Sequence, residues 1–375
     1  MSNTWIHERQ DWPNFRWDAE AISLDLADIR YRQGRLLGRM ESLGFDLRQE
    51  ASLETLTNDI VKSSAIEGEN LDRMEVRSSI ASRLGIDVGG MVPVSRHIDG
   101  VVEMMLDATR NHAMPLTEER LFGWHAALFP TGRSGMHRIL VGGWRPAEAG
   151  PMQVISGPIG NENVHFEAPD ATRLQTEMQS FLSWFESKGS IDPVLKAGIA
   201  HLWFVTIHPF EDGNGRIARA ICDMALARAD GLPDRFYSLS TQIERERKDY
   251  YIYLEKQQRG DLDITGWLGW FLNCLGHALS NAETALGHIL YKAQLWNHIK
   301  SNPINDRQRQ IINRILDDRW EGYMNTSKYA KLADCSNDTA LRDIRALLEW
   351  DIFVQNEGGG RSTSYRLVGQ KELSS

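Results

Sequence analysis

The stretch Thr206–Ala220, TIHPFEDGNGRIARA, follows the apolar run AGIAHLWFVTI and opens a second helical pattern, RIARAICDMALARA. It gathers a histidine, two adjacent carboxylates, an asparagine between two glycines, and two arginines. Glycine and asparagine tolerate positive φ, so the spacing predicts a turn. Because the turn stands directly before a helix, the amides of Gly213, Asn214 and Gly215 point into a concavity at a helix N-terminus, where phosphate oxygens are stabilised. Arg216 and Arg219 are three residues apart on one helix face and can close over the same anion with planar guanidinium groups. Without an anion or an acidic partner the two would repel each other.

Asp212 at the rim is a hard carboxylate suited to Mg2+. His208 stands four residues earlier, and an imidazole of ordinary basicity can take a proton from a hydroxyl at neutral pH. Phe210 reads as a buried anchor for the loop and Glu211 as solvent-facing. Together the residues describe phosphoryl or nucleotidyl transfer, although GxxxxGK[ST], the phosphate loop of many ATPases, is not the pattern here.

HPFEDGNGRIAR matches the signature His-x-Phe-x-(Asp/Glu)-Gly-Asn-Gly-Arg-x-x-Arg at every defining position, and in this the chain resembles the Fic family. Fic enzymes typically transfer the AMP moiety of ATP to a hydroxyl side chain of a protein, releasing pyrophosphate. The resemblance implies that His208 deprotonates a Ser, Thr or Tyr acceptor, on another protein or on the chain itself, and that Asp212 holds Mg2+. It implies that Gly213, Asn214, Gly215 and Arg216 cradle the phosphates while Arg219 grips the end of the triphosphate. The hairpin QVISGPIGNENVHF, within a flap at 153–169, would register an extended target segment by strand addition. Val164 and His165 are the flap residues expected beside the nucleotide. Tyr250 and Gln258, eight apart on IERERKDYYIYLEKQQ, are expected to face it.

A second stretch, SSAIEGEN at Ser63–Asn70, resembles the inhibitory motif (Ser/Thr)-x-x-x-Glu-(Gly/Asn) of one class of Fic proteins, with Ser63, Glu67 and Gly68 at its defining positions. Ser63 and Glu67 are four apart on one helix face and can brace each other. By the resemblance Glu67 reaches Arg219 and neutralises the charge that should hold the γ-phosphate, within one chain or across a homodimer. Two other readings stay open. Glu67 could orient water so that the same pocket removes AMP from a modified protein, or the chain could be a DNA-binding regulator whose core senses nucleotide.

The rest of the chain frames this site. A length of 375 residues favours two or three domains. A formal net charge of -9 supplies no global positive field for nucleic acid or anionic lipid. Cys222, Cys274 and Cys335 are far apart and form no CxxC pair, which argues against a cysteine-built zinc site and for a reducing compartment. The start, MSNTWIHERQDWPNF, has no apolar signal-peptide core, and AGIAHLWFVTI is too short to span a bilayer, so a cytoplasmic protein without membrane contact is expected. The expected class is mainly α: a Fic helical core with a β-hairpin flap, plus a C-terminal winged-helix domain.

The expected divisions are accessory helices at 1–49, the inhibitory helix and linker at 50–98, the catalytic core at 99–300 and the winged helix at 301–375. In that last module DTALRDIRALLEW is the candidate recognition helix. Arg342, Arg345 and Arg361 set against Asp338, Asp343 and Glu349 make a weak basic face, which favours protein docking or dimer packing over DNA.

Overall fold

Capping residues written into the sequence set most helix ends in the computed structural model of the chain, which describes residues 5–87, 90–157, 163–316, 322–357 and 363–373. Asp18 accepts from the amides of Glu20 and Ala21 and starts α1 (Ala19–Glu41). Helix α2 (Phe45–Ile66) ends at Glu67. Asp72 caps α3 (Arg73–Leu84), Ser95 caps α4 (Arg96–Arg110), and Thr117 caps α5 (Glu118–Leu128). Two small antiparallel hairpins follow, β1 (Arg133–Ser134) with β2 (His137–Arg138) and β3 (Gln153–Ser156) with β4 (Asn163–Glu167). The first of these was not anticipated, and the second is the expected flap hairpin, whose tip lies outside the described residues.

Helices resume with α6 (Leu174–Glu186) and α7 (Pro193–Ile207), the latter capped by Asp192 with proline at the first position, where a missing amide costs nothing. They continue with α8 (Asn214–Asp230), α9 (Leu239–Arg245), α10 (Arg247–Gln258) and α11 (Thr265–Ile299). IERERKDYYIYLEKQQ is therefore two helices and not one, broken where the Glu246 carboxylate is held by Gln242 and His277. The long stretch after Asp263 is a single unbroken helix.

Two compact units divide inside α11, one ending at Glu283 and one beginning at Thr284. In the first, α7 is buried from Val194 to Ile207 except at Lys196. A helix apolar on every side belongs at the centre of a domain. It packs along α8, which α4, α5 and α2 also touch. Close approach of α4 to α5 depends on Gly100, where an added Cβ would lie 1.9 Å from the Ala127 carbonyl oxygen.

The second unit continues with α12 (Asp306–Ile315), α13 (Thr326–Leu332) and α14 (Asn337–Glu349), then β5 (Phe353–Gln355) paired with β6 (Tyr365–Leu367), and Met324 bridges to Tyr365. Ile311, Ile312, Tyr329, Ile344, Leu347 and Phe353 form its core. Asp343 does not offset the α14 arginines at the surface, as the sequence suggested. It is buried and accepts hydrogen bonds from Asn305, Arg307 and Tyr329. Arg342 and Arg345 are exposed, while Arg361 lies outside the described residues. No described helix is long and apolar enough to cross a membrane.

Gly100→Ala should destabilise the first unit by about 1–3 kcal/mol, because backbone must move to admit the methyl group. Thermal unfolding of the variant checks this, and an unchanged melting temperature would show that α4 and α5 do not meet at this spacing.

Candidate active site

The motif loop joins the two central helices. His208 ends α7 in the left-handed region, φ 52° and ψ 58°, and Gly213 at φ 82° starts α8. Asn214 braces the turn between them: its Oδ1 accepts from the Phe210 amide (3.0 Å) and its Nδ2 donates to the Phe210 carbonyl (2.8 Å). Its side chain thus serves the loop, where the sequence reading had it only in the phosphate cradle. Phe210 is fully buried and stacks on His125, ring centroids 4.2 Å apart and planes 10° apart. Burial pushes the His125 imidazole down to about 4, so it packs as a neutral ring.

Arg145 ties this loop to the flap. Its Nε donates to the His208 carbonyl (2.9 Å), its amide to the Pro209 carbonyl (2.9 Å), and its Nη2 to the carbonyl of Pro169, just beyond β4. Arg145 is buried, and no sequence pattern singled it out. His208 itself is half-buried. Loss of surrounding water pushes its pKa down to about 4, with Arg145 adding to the shift against the opposing pull of the Val205 carbonyl, Glu67 and Asp212. Its Nδ1 lies 3.3 Å from the Val205 carbonyl oxygen. Donating there leaves Nε2 with the free lone pair, which makes His208 a neutral base.

Arg219 is 1% exposed at its side chain and is held entirely by the SSAIEGEN segment. Its Nε donates to Ser63 Oγ (2.8 Å), and its Nη2 donates to the Ser63 carbonyl (2.9 Å) and to Glu67 Oε1 (2.7 Å). Ser63 and Glu67 therefore converge on the arginine from α2, whereas the sequence suggested that they brace each other. Burial works against the guanidinium charge, yet Glu67 beside it raises the Arg219 pKa above its ordinary value. Gly68, at φ 84°, lets the chain turn away after Glu67. A Cβ on Gly215 would lie 2.1 Å from Glu67 Oε1, so the carboxylate sits directly on the glycine turn. Arg219 Nη1 is buried without a hydrogen-bond partner.

Arg216 has its own carboxylate, which sequence reading missed. Its Nη1 donates to Glu69 Oε2 (2.9 Å), and its guanidinium lies 5.2 Å from the Phe129 ring centre. Glu69 Oε1 meets His97 Nε2, at the start of α4. The contact holds the Glu69 carboxyl below its usual range and raises the His97 imidazole. The two arginines that should repel each other are thus separately neutralised. One signal was available: a second glutamate two residues after Glu67 in EGEN.

Glu67, Glu69, His97, Arg133, Asp212 and Arg216 line a pocket of about 590 Å3. In it Asp212 accepts from the Ser134 hydroxyl and from the Gly213 amide. Glu211 is half-buried, not free in solvent, and accepts from the Leu140 amide (2.5 Å). Of the expected nucleotide neighbours, Glu67, Asp212 and Arg216 line this pocket, whereas Gly213, Asn214, Gly215 and Arg219 on the turn and α8 do not, and nor do Val164, His165, Tyr250 and Gln258. Val164 packs with Trp5 and Phe166, and His165 bonds to Ser156 and Glu255. Gln258 is buried at the end of α10. Tyr250 is buried with its hydroxyl 3.0 Å from His201 Nε2. Burial and the nearby Arg219 push His201 down to about 3, so this pair is neutral under the arginine.

Residues 115–226 match the family model described as Fic/DOC family, and residues 5–86 match one described as a domain of unknown function, DUF4172. Protein adenylyltransferase fic-1 of Caenorhabditis elegans is 33% identical over 129 residues, which are 34% of this chain and 23% of that protein. Protein adenylyltransferase Fic of Drosophila virilis is 26% identical over 225 residues, 57% of this chain and 40% of that one. The matched segments span less than half the length of these relatives. A crystal structure of a Fic domain containing signaling protein from Bacteroides thetaiotaomicron, 20% identical, shares the fold with a TM-score of 0.51 over 69% of this chain and 95% of that chain. The loop between α7 and α8 falls inside residues 115–226, the segment of the chain that matches the Fic/DOC family.

Proposed function

We propose that the first unit transfers AMP from ATP to a Ser, Thr or Tyr hydroxyl of a protein and that Glu67 holds it at rest. The observation that carries the reading is the seat of Glu67. A carboxylate stands on the glycine turn, 2.7 Å from Arg219 Nη2, where a phosphate oxygen would be stabilised by the same guanidinium and the same helix start. The unpartnered Arg219 Nη1 and Arg216 Nε fit further anion oxygens.

In this reading Glu67 and Glu69 leave, and Arg219, Arg216 and the first amides of α8 take the phosphates. His208 Nε2 accepts the acceptor's hydroxyl proton. The hydroxyl oxygen bonds to the α-phosphorus of ATP, the bond from that phosphorus to the bridging oxygen breaks, and pyrophosphate leaves. Arg145 fixes the His208 carbonyl and keeps the imidazole in place. Among the described residues no cluster of three or more His, Cys, Asp or Glu could cage a metal. One carboxylate, Asp212, suits Mg2+, which takes its remaining oxygens from phosphates and water. When bound there the ion would neutralise phosphate charge.

The second unit, with three helices followed by a hairpin, supports a winged-helix assignment. Exposed Arg342 and Arg345 stand near exposed Asp338 and Glu349 on α14, which favours a protein partner or a second copy over DNA.

Incubation with ATP labelled at the α-phosphate, with casein as an unfolded, hydroxyl-rich acceptor, tests the proposal. Glu67→Gly should raise the label on casein about tenfold or more, the scale of one charge-assisted hydrogen bond returned to the phosphate. His208→Ala in that background should lower it about a hundredfold or more. An unlabelled Glu67→Gly reaction would defeat the transfer reading, and a parent protein as active as the variant would defeat the inhibitory one.

Imidazole NMR supplies a second check. His208 should stay neutral down to about pH 4, while His97 should titrate above the ordinary imidazole range. The sign for His97 is that its charged contact with Glu69 is present at low pH and lost as pH rises through the raised pKa. A His208 ring already charged at pH 6 would contradict its assignment as a base in the resting protein.

A further inference from the structure

A hydrogen-bonded chain of serine, histidine and glutamate lies on the flap, apart from the pocket. Ser156 Oγ is 2.6 Å from His165 Nε2, and His165 Nδ1 is 2.8 Å from Glu255 Oε2. The three residues come from β3, β4 and α10. The Glu255 carboxylate cannot donate, so Nδ1 carries the proton, and in the neutral ring Nε2 is the acceptor for the serine hydroxyl. A nucleophile within reach of a base, with the base oriented by a third group, is the arrangement that activates a weak hydroxyl.

The third group is itself held. Arg259 Nε donates to Glu255 Oε1 (3.0 Å), its Nη2 donates to the Val164 carbonyl, and its guanidinium lies 4.8 Å from the Trp5 ring centre. His165 is therefore aimed by a fixed carboxylate. Ser156, in contrast, is exposed on a strand whose four residues are all exposed, with Ile155 beside it 53% exposed. Among the described residues only β4 pairs with β3, and the other edge of β3 is open there to main-chain pairing with another chain. An extended segment with a hydroxyl in this state is the form of acceptor that the proposed reaction takes.

We propose that Ser156 is an acceptor of AMP, modified when the flap of one copy is presented to the site of a second copy. The inference rests on the transfer reading above and names a substrate for it. Ser156 Oγ bonds to the α-phosphorus of ATP, the phosphorus–oxygen bond to pyrophosphate breaks, and pyrophosphate leaves with the electron pair. The hydroxyl proton passes to His208 Nε2 of the modifying copy, while His165 of the accepting copy, held by Glu255, orients the Ser156 hydroxyl for that transfer. Glu255 is a positioning residue in this scheme, since it acts only through His165.

The test separates the two roles between two full-length chains. The enzyme carries Glu67→Gly and Ser156→Ala, and the accepting copy carries His208→Ala with Ser156 intact and a distinguishing tag. After incubation with ATP and Mg2+, mass spectrometry of the accepting copy should place AMP on Ser156. Glu255→Gln in the accepting copy should lower Ser156 occupancy about tenfold, and Glu255→Asp, which keeps the carboxylate, should restore part of it. Both accepting copies should unfold at the same temperature as the unmutated one. AMP found on other hydroxyls but not on Ser156, or Ser156 occupancy unmoved by Glu255→Gln, overturns this inference and leaves the transfer reading standing. No AMP on either chain or on casein overturns both.

Discussion

One buried charge organises the site. Arg219 sits almost wholly out of water in the first turn and a half of α8, and a guanidinium there must be paired and hydrogen-bonded to be tolerated. Its partners, Ser63 and Glu67, all come from the end of α2, more than 150 residues earlier in the chain. Below it Tyr250 and His201 are buried and neutral, and they present no competing charge. The end of α2 is thus fixed by the same guanidinium that faces the glycine turn. Removing only the Glu67 carboxylate leaves the two Ser63 bonds, so the arginine keeps its place while its anion position becomes free.

Around that contact the structure repeats the arrangement with different residues. Arg216 is to Glu69 as Arg219 is to Glu67, and His97 from α4 holds the second carboxylate. Two carboxylates on one short turn, Glu67-Gly68-Glu69, are thus each paired with their own arginine of α8. Because His97 loses its charge as pH rises, the second of these contacts is the one that responds to pH. The first is fixed by a guanidinium that stays charged at any working pH.

What was legible in the sequence was what the chain places close together. Gly213 and Gly215 around Asn214 before a helical pattern specify a turn and a helix start from local physics alone, and Asp192-Pro193 and Thr117 specify their caps. The pairing of Glu67 with Arg219 required the family resemblance, since nothing in local spacing brings residue 67 to residue 219. Glu69, His97 and Arg145 were not found because each works through a partner distant in the chain: Arg216, Glu69 and the His208 carbonyl. Asp343 misled for the same reason. Its position on α14 suggested a surface charge, and only packing against α12 and α13 shows it as a buried acceptor. Tyr250, expected to face the nucleotide, is buried with its hydroxyl beside His201, a partner that local spacing does not reveal.

The central claim is that Glu67 occupies the anion position of Arg219. Calorimetric titration of the parent protein and Glu67→Gln with ATP and with AMP, at one salt concentration, tests it most directly. The account predicts that the substitution tightens ATP binding about tenfold while AMP, which has no phosphate to reach Arg219, changes by less than about twofold. Equal changes for the two nucleotides, or no change for ATP, would contradict it.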